Sequence, residues 1–185
     1  MVEPLFQKAL RGVHTDEGDS YDLLPAEIKA MHHVENVLIA RGNADITRDT
    51  SLLAKAAARL FGFPKEGRNI PVTVTFTRTE AGETLLRDFG GEAFATSFYD
   101  YPKPGHLIER FGPLWFLIEC ICTTQGIDMI IRKFWLWKLI PLPMCLGPRI
   151  NATERVEAGQ YCFNVDIHLP LIGRVIHYRG WLVIR

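Results

Sequence analysis

Apolar and polar positions alternate over long stretches of the second and last thirds of the chain, and that period of two predicts strands. Residues 161–169 (YCFNVDIHL) show it best. Tyr161, Phe163, Val165, Ile167 and Leu169 fall on one face, with Cys162, Asn164, Asp166 and His168 on the other. After the turn-like PLIGR comes 175–184 (VIHYRGWLVI), rich in β-branched and aromatic residues. The two runs are expected to form an antiparallel hairpin with Val165 opposite Gly180. One face then pairs Phe163 with Leu182, Ile167 with Tyr178 and Leu169 with Ile176. The other pairs Asn164 with Trp181, Asp166 with Arg179 and His168 with His177. A slip of one residue would turn polar side chains onto the apolar face.

Residues 70–78 (IPVTVTFTR) alternate in the same way, with Ile70, Val72, Val74 and Phe76 against Thr73, Thr75 and Thr77. Ala81-Gly82 and Ala158-Gly159 are read as two-residue hairpin loops. Gly90-Gly91 separates 83–89 from 92–98, and 113–122 pairs with 127–137 around the turn TTQG. Residues 4–10 and 25–33 predict short helices, with a polar loop over 13–22 between them. Residues 34–47 predict a strand broken at Gly42. The strongest helix signal lies at 50–61 (TSLLAKAAARLF). Thr50 or Ser51 can cap it, and Gly62 and Pro64 end it. Its apolar face, Leu52, Leu53, Ala56, Ala57, Leu60 and Phe61, is expected to be covered by the sheet, so that Leu53→Ala or Leu60→Ala would destabilise the fold.

The 185 residues are 48% hydrophobic, enough for one globular domain over 1–185 with a sizeable core. With 21 basic and 21 acidic residues and no long run of either sign, the chain lacks the basic stripe of a dedicated nucleic-acid binder. Cys120, Cys122, Cys145 and Cys162 follow no secreted framework and read as buried free thiols in a reducing, cytoplasmic setting. No signal peptide is evident. The most apolar region, 114–146, is interrupted by Glu119, Asp128, Arg132, Lys133 and Lys138. It falls short of the about 20 apolar residues of a membrane span. The aromatic cluster of Phe134, Trp135 and Trp137 leaves peripheral contact with a membrane open.

The hairpin registers place polar residues on apolar faces. An Ala81-Gly82 loop sets Phe76 opposite Arg87, on the face of Val72, Val74 and Phe89. An Ala158-Gly159 loop sets Phe163 opposite Glu154. Glu109 alternates with Leu107 and Phe111. A lone buried charge is strongly disfavoured, so Arg87 is expected to seek a carboxylate, Glu154 first and Glu109 second, with Tyr178 on the same face. That cluster is either a ligand site or a structural ion pair. The outer stripe of Asp166, Arg179, His168 and His177 fits the cross-strand pairing of a solvated face. His32-His33 lacks a spaced third ligand, so no metal is implied. Ser97 has no nucleophile-elbow glycines, no phosphate loop occurs, and the acids of GVHTDEGDS lack calcium-loop spacing.

The succession of FGFP, IPVTVTF, RDFGG, GHLIERFGP, IPLP, LPLIG and YRGW, from LPAEIKAMHH to the end, resembles the bacterial domain of unknown function 4166 family. Its members occur alone or fused behind saccharopine-dehydrogenase-like, nucleotide-binding domains, and no activity is assigned to it. Family-like positions include Arg87, Phe89, Gly90, Ser97, Glu109, Gly112, Pro113, Glu154, Tyr178, Gly180 and Trp181. The chain departs at Leu85, where the family pattern implies an aromatic.

The expected fold is α+β: a long curved antiparallel β-sheet or partial barrel with N-terminal helices packed against it. The leading functional expectation is a non-catalytic binding module for a small apolar or amphipathic ligand, with Arg87, Glu109, Glu154 and Tyr178 at its site. No cofactor is implied, and a partner oxidoreductase is the expected setting. One alternative is a small enzyme using Arg87 to hold an anion and Glu109 or Glu154 as general acid or base. Another is an interaction domain whose Trp135, Trp137 and Trp181 meet a protein or a membrane surface.

Overall fold

Almost every residue from Val37 to Ile184 is extended, as the alternation predicts, and one helix interrupts the run. The structure, a computed structural model, describes residues 3–11, 13–15 and 18–185. α1 (Leu5–Leu10), β1 (His14–Thr15), β2 (Gly18–Asp19), α2 (Ser20–Leu23) and α3 (Ala26–Met31) come first. β3 (Val37–Arg48) is joined by α4 (Leu52–Leu60) to β4 (Gly67–Thr79). β5 (Gly82–Phe89), β6 (Glu92–Asp100), β7 (His106–Phe111), β8 (Leu114–Thr123) and β9 (Gly126–Leu136) follow as a meander. β10 (Ile140–Leu142), a 3₁₀ turn at Met144–Leu146, β11 (Arg149–Glu157), β12 (Gln160–Leu169) and β13 (Gly173–Ile184) complete the chain.

All pairings are antiparallel, in the order β9-β11-β12-β13-β3-β4-β5-β6-β7-β8, and β8 pairs back onto β9. The result is a closed ten-stranded barrel, more complete than the partial barrel expected. β9 can serve both neighbours because β11 takes its first half (Gly126–Met129) and β10 its last three residues. Closure removes the open concave face on which helices were expected to lie. The helices instead meet the barrel through side chains at its ends. Phe6 of α1 stands 5.4 Å from Phe98 of β6, and the Gly105 amide donates to the Ala9 carbonyl. The expected polar loop at 13–22 contains the β1–β2 ladder and α2, with Asp16 and Glu17 lying outside the described residues.

Two registers and one expected strand break differ from expectation in instructive ways. β12 and β13 do pair, but Val165 faces Tyr178 and Phe163 faces Gly180. The shift is two residues, so each side chain keeps its predicted face. Its source is the Pro170–Ile172 loop together with a bulge at Ile167/His168. Asp166 therefore pairs with Arg174 through two contacts of 2.8 and 2.9 Å rather than with Arg179. The β4–β5 loop is Glu80-Ala81, with Thr79 opposite Gly82, and Phe76 faces Leu85 while Val74 faces Arg87. Gly82 is needed inside the strand, where a Cβ would run into the Phe98 carbonyl of β6. β3 continues straight through Gly42, which was expected to break it. A Cβ there would collide with the Trp181 carbonyl, so the glycine permits close strand approach. The Ala158-Gly159 loop is as predicted: both residues have positive φ, and Phe163 faces Glu154.

α4 departs most from expectation. Ser51 caps it through the Ala54 amide, but the buried residues are Ala54, Ala57 and Ala58. Ala57 and Ala58 pack on Val175 of β13. Leu53 and Leu60 are 63% and 81% exposed, and Leu52 is exposed beside them. The sheet does not cover this face because a closed barrel turns its apolar surface inward and offers α4 only its rim. Leu60→Ala should therefore leave the denaturation midpoint within about 0.5 kcal/mol of wild type. Ile176→Ala, at a fully buried position of β13, should cost about 2–5 kcal/mol. Equal losses in a denaturant titration would show that α4 is buried after all.

Candidate functional site

Period-two alternation fixes which side chains enter the barrel, and several of them are polar. β5 sends in Glu83, Leu85, Arg87 and Phe89, and β6 sends in Phe94, Thr96 and Phe98. β7 contributes Glu109, β11 Glu154, β12 Tyr161 and β13 Tyr178. Ten strands make a wider barrel than the eight whose interior side chains alone can fill. A cavity of about 360 Å³ remains, within the range of small-molecule sites. Its wall is mostly aromatic and aliphatic, with Phe63, Phe94 and Phe111 in mutual ring contact toward the α4 end.

Two polar groups interrupt this wall. In the first, Arg87 donates from Nη1 to the Thr96 hydroxyl at 3.1 Å, and the same hydroxyl, beside Glu109, favours its charged form. Arg87 Nη2 lies 3.9 Å from Glu109 Oε1, beyond hydrogen-bond range, and its guanidinium sits 5.4 Å from the Phe94 ring centre. Burial pushes the Glu109 carboxyl above its usual range, and Arg87 offsets only part of this. Burial likewise raises the phenol of Tyr178, which packs against Phe89 and feels both Arg87 and Glu109.

The second group lies toward the end where α1 and α3 meet the barrel. His32 Nε2 donates to Glu154 Oε2 at 2.6 Å, and the buried Tyr161 phenol lies close enough to Glu154 to feel its charge. Burial and the adjacent Glu154 raise the Tyr161 phenol well above normal, so it stays protonated. Phe6 stacks on His32 at 4.1 Å. Next to this group, Glu83 Oε1 accepts from the Leu5 amide at 2.8 Å and so supplies the cap that Pro4 cannot give α1. Glu83 Oε2 and His32 Nδ1 are buried without a hydrogen-bond partner among the described residues.

All four expected site residues, Arg87, Glu109, Glu154 and Tyr178, thus line one cavity. The partner order is reversed. Arg87 associates with Glu109, whereas Glu154, expected first, is taken by His32. Tyr161 and Thr96 were readable from their alternation with Phe163 and Phe94. His32 was not, because it follows a six-residue helix with no periodic signal. The thiols are free, but of the four expected to be buried only Cys120 is; Cys122 and Cys162 are half-buried and Cys145 is exposed. Burial lifts the Cys122 thiol to about 12 and Cys120 further still, far from thiolate chemistry. Among the described residues no helix is long and apolar enough to cross a membrane, and no group of three or more His, Cys, Asp or Glu is placed to hold a metal ion.

A family model matches residues 24–182. The chain belongs to the family described as Domain of unknown function (DUF4166). No curated protein and no solved structure matches it. The match to this DUF4166 domain begins before α3 and ends in β13, so it takes in every barrel strand and His32 but not α1.

Glu83 generates a prediction about stability. Burial raises its folded carboxyl above the ordinary value of 4.5, with the Leu5 amide, His32 and Arg78 opposing. The folded state then binds a proton more tightly than the unfolded chain, so stability falls as pH rises from 4.5 through the raised folded value. Glu83→Gln keeps an acceptor for the Leu5 amide and removes the charge. Its gain over wild type should be absent below pH 4.5 and full above the folded value, in chemical denaturation followed against pH. Parallel pH profiles would show that Glu83 carries no such strain.

Proposed function

We propose that the barrel is a binding module for a single-chain amphipathic anion, its tail along the aromatic wall and its head at Arg87. The observation that carries this reading is the incomplete neutralisation of Arg87. Among the described residues its side chain makes one hydrogen bond, to Thr96, and its carboxylate neighbour is 3.9 Å away. A guanidinium has five N–H donors, and a desolvated one left this open favours a carboxylate, sulfate or phosphate head. The mostly apolar remainder of the cavity suits an alkyl chain. A second reading, a small enzyme with Glu154 or Glu109 as acid or base, draws support from the Glu154–His32–Tyr161 cluster on the same wall. Native mass spectrometry separates the two, since an enzyme would convert a co-purifying molecule that a carrier only holds.

A long-chain alkyl sulfate is the sharper probe, because its charge does not titrate. Arg87→Leu should weaken it by about 1.5–3 kcal/mol, the worth of a charged hydrogen bond, while unfolding stays cooperative. Wild-type affinity should rise as pH falls from neutral, because protonating the raised Glu109 removes a competitor for Arg87. Fluorescence displacement measures both. An alcohol of the same chain length binding as tightly as the sulfate, or an Arg87→Leu protein binding as wild type, would refute the anion site.

A further inference from the structure

The mouth of the barrel on the α4 side carries apolar side chains that the fold leaves in water. Leu52, Leu53 and Leu60 project from α4. Leu171, at the tip of the β12–β13 loop, is 102% exposed, and Leu139, after β9, is 82% exposed. Trp137 and Leu146 are exposed nearby. Trp137 and Leu171 both hold positive φ, at 51° and 65°, an uncommon conformation for bulky residues that occupy turn tips here. These segments share one end of the molecule. Phe61, which follows α4, stacks on Phe111 at the end of β7, β7 turns there into β8, and Leu114 of β8 faces Leu136 of β9. Val175, just after the β12–β13 loop, packs on α4 itself.

Charge is polarised along the same axis although the chain is neutral overall. Residues 48–68, around α4, carry five basic and two acidic side chains. Residues 132–149, around the β9–β10 turn, contain no acid and carry Lys133, Lys138 and Arg149, together with Arg132, which is bound to Glu119 of β8. Outside these segments, Glu92 and Asp166 near this rim are bound by Lys65 and Arg174, and Asp88 accepts from the Gly91 amide. The described residues of 3–35, which include the helices at the opposite end, carry five acidic side chains (Glu3, Asp19, Asp22, Glu27 and Glu35) against Lys8, Arg11 and Lys29. Apolar tips set among lysines and arginines, on one end of an otherwise neutral protein, are complementary to an anionic lipid surface. There the tips enter the acyl boundary while the cations lie at the headgroups.

We infer that the α4 rim docks on anionic lipid bilayers, with Leu52, Leu53, Leu60, Trp137, Leu139 and Leu171 entering the interface. Of the Trp135–Trp137–Trp181 surface expected from sequence, Trp137 belongs to this patch, whereas Trp181 lies on the outer wall of β13 opposite Cys162. Docking rests on the exposure and charge of the rim alone. That the docked mouth admits an amphipathic anion from the bilayer rests in addition on the binding reading above.

The test is co-sedimentation of the full chain with phosphatidylcholine vesicles with and without phosphatidylglycerol. Wild type should sediment with the phosphatidylglycerol vesicles and lose this in high salt. Lys55→Glu with Arg59→Glu, and separately Leu53→Ser with Leu60→Ser, should each lower partition by about tenfold or more. Both pairs are exposed, so denaturation midpoints should not move and alkyl sulfate should bind in solution as before. Arg87→Leu should sediment as wild type, which keeps failure of the ligand site distinct from failure of docking. Equal partition with and without phosphatidylglycerol, or variants that sediment like wild type, would overturn the inference. So would vesicle-independent self-association that Leu53→Ser with Leu60→Ser abolishes, which would make the rim an interface between copies of this chain.

Discussion

Because β9 pairs with β8 along one edge and divides the other between β11 and β10, the ten main strands close on themselves and hold their inner face away from bulk water. Each inward side chain is then either packed or set on the cavity wall. That is why Ile127, Ile176 and Val72 are almost wholly buried in strands whose outward residues are polar. It is also why the polar residues on the same inward positions are informative. An arginine or glutamate that alternates with phenylalanines cannot turn to solvent without unpairing its strand, so its environment follows from its register.

Those inward polar residues meet burial in two different ways. Toward α1 and α3, Glu154 accepts from His32, and Glu83 is held by the Leu5 amide. The hydrogen bonds there join helices to strands, so that end is tied by polar contacts as well as by Phe6. Midway along, Arg87 donates to Thr96, and its guanidinium stands 3.9 Å from Glu109 without a hydrogen bond between them. A structural ion pair would close that gap, since breaking contact in low dielectric forfeits the Coulombic return on desolvating both groups. The looser arrangement leaves donors of Arg87 directed at an apolar space.

Much of this was legible in the sequence because strand faces depend only on parity. Arg87, Glu109, Glu154 and Tyr178 were placed inside by alternation, and they stay inside although two hairpins pair two residues away from expectation. Register itself was not legible. It turns on whether Gly82 serves the loop or the close approach of β6, and both uses ask for glycine. Closure was hidden too, because the β8–β9–β11 junction depends on how β9 divides its second edge between β10 and β11. α4 misled for a related reason. Its amphipathic pattern implies a covering surface, and pattern alone cannot say whether the cover belongs to this chain.

The two ends of the barrel therefore differ in what would have to break for a molecule to enter. At the α1 end, entry would separate buried hydrogen bonds to Glu154 and Glu83, each costly to leave unmade. At the α4 end, ring contacts of Phe61 and Phe63 with Phe111 and Phe94 line the cavity, and the polar tie there is the bond from Arg48 to the Phe63 carbonyl. α4 is anchored through Ala57 and Ala58 on Val175, a small apolar contact for a nine-residue helix. Segments with so little buried area sit at the low end of local stability and open first. The hinge of least resistance is thus the element that carries the exposed leucines. An interface that buried those leucines would act directly on the element that controls the mouth.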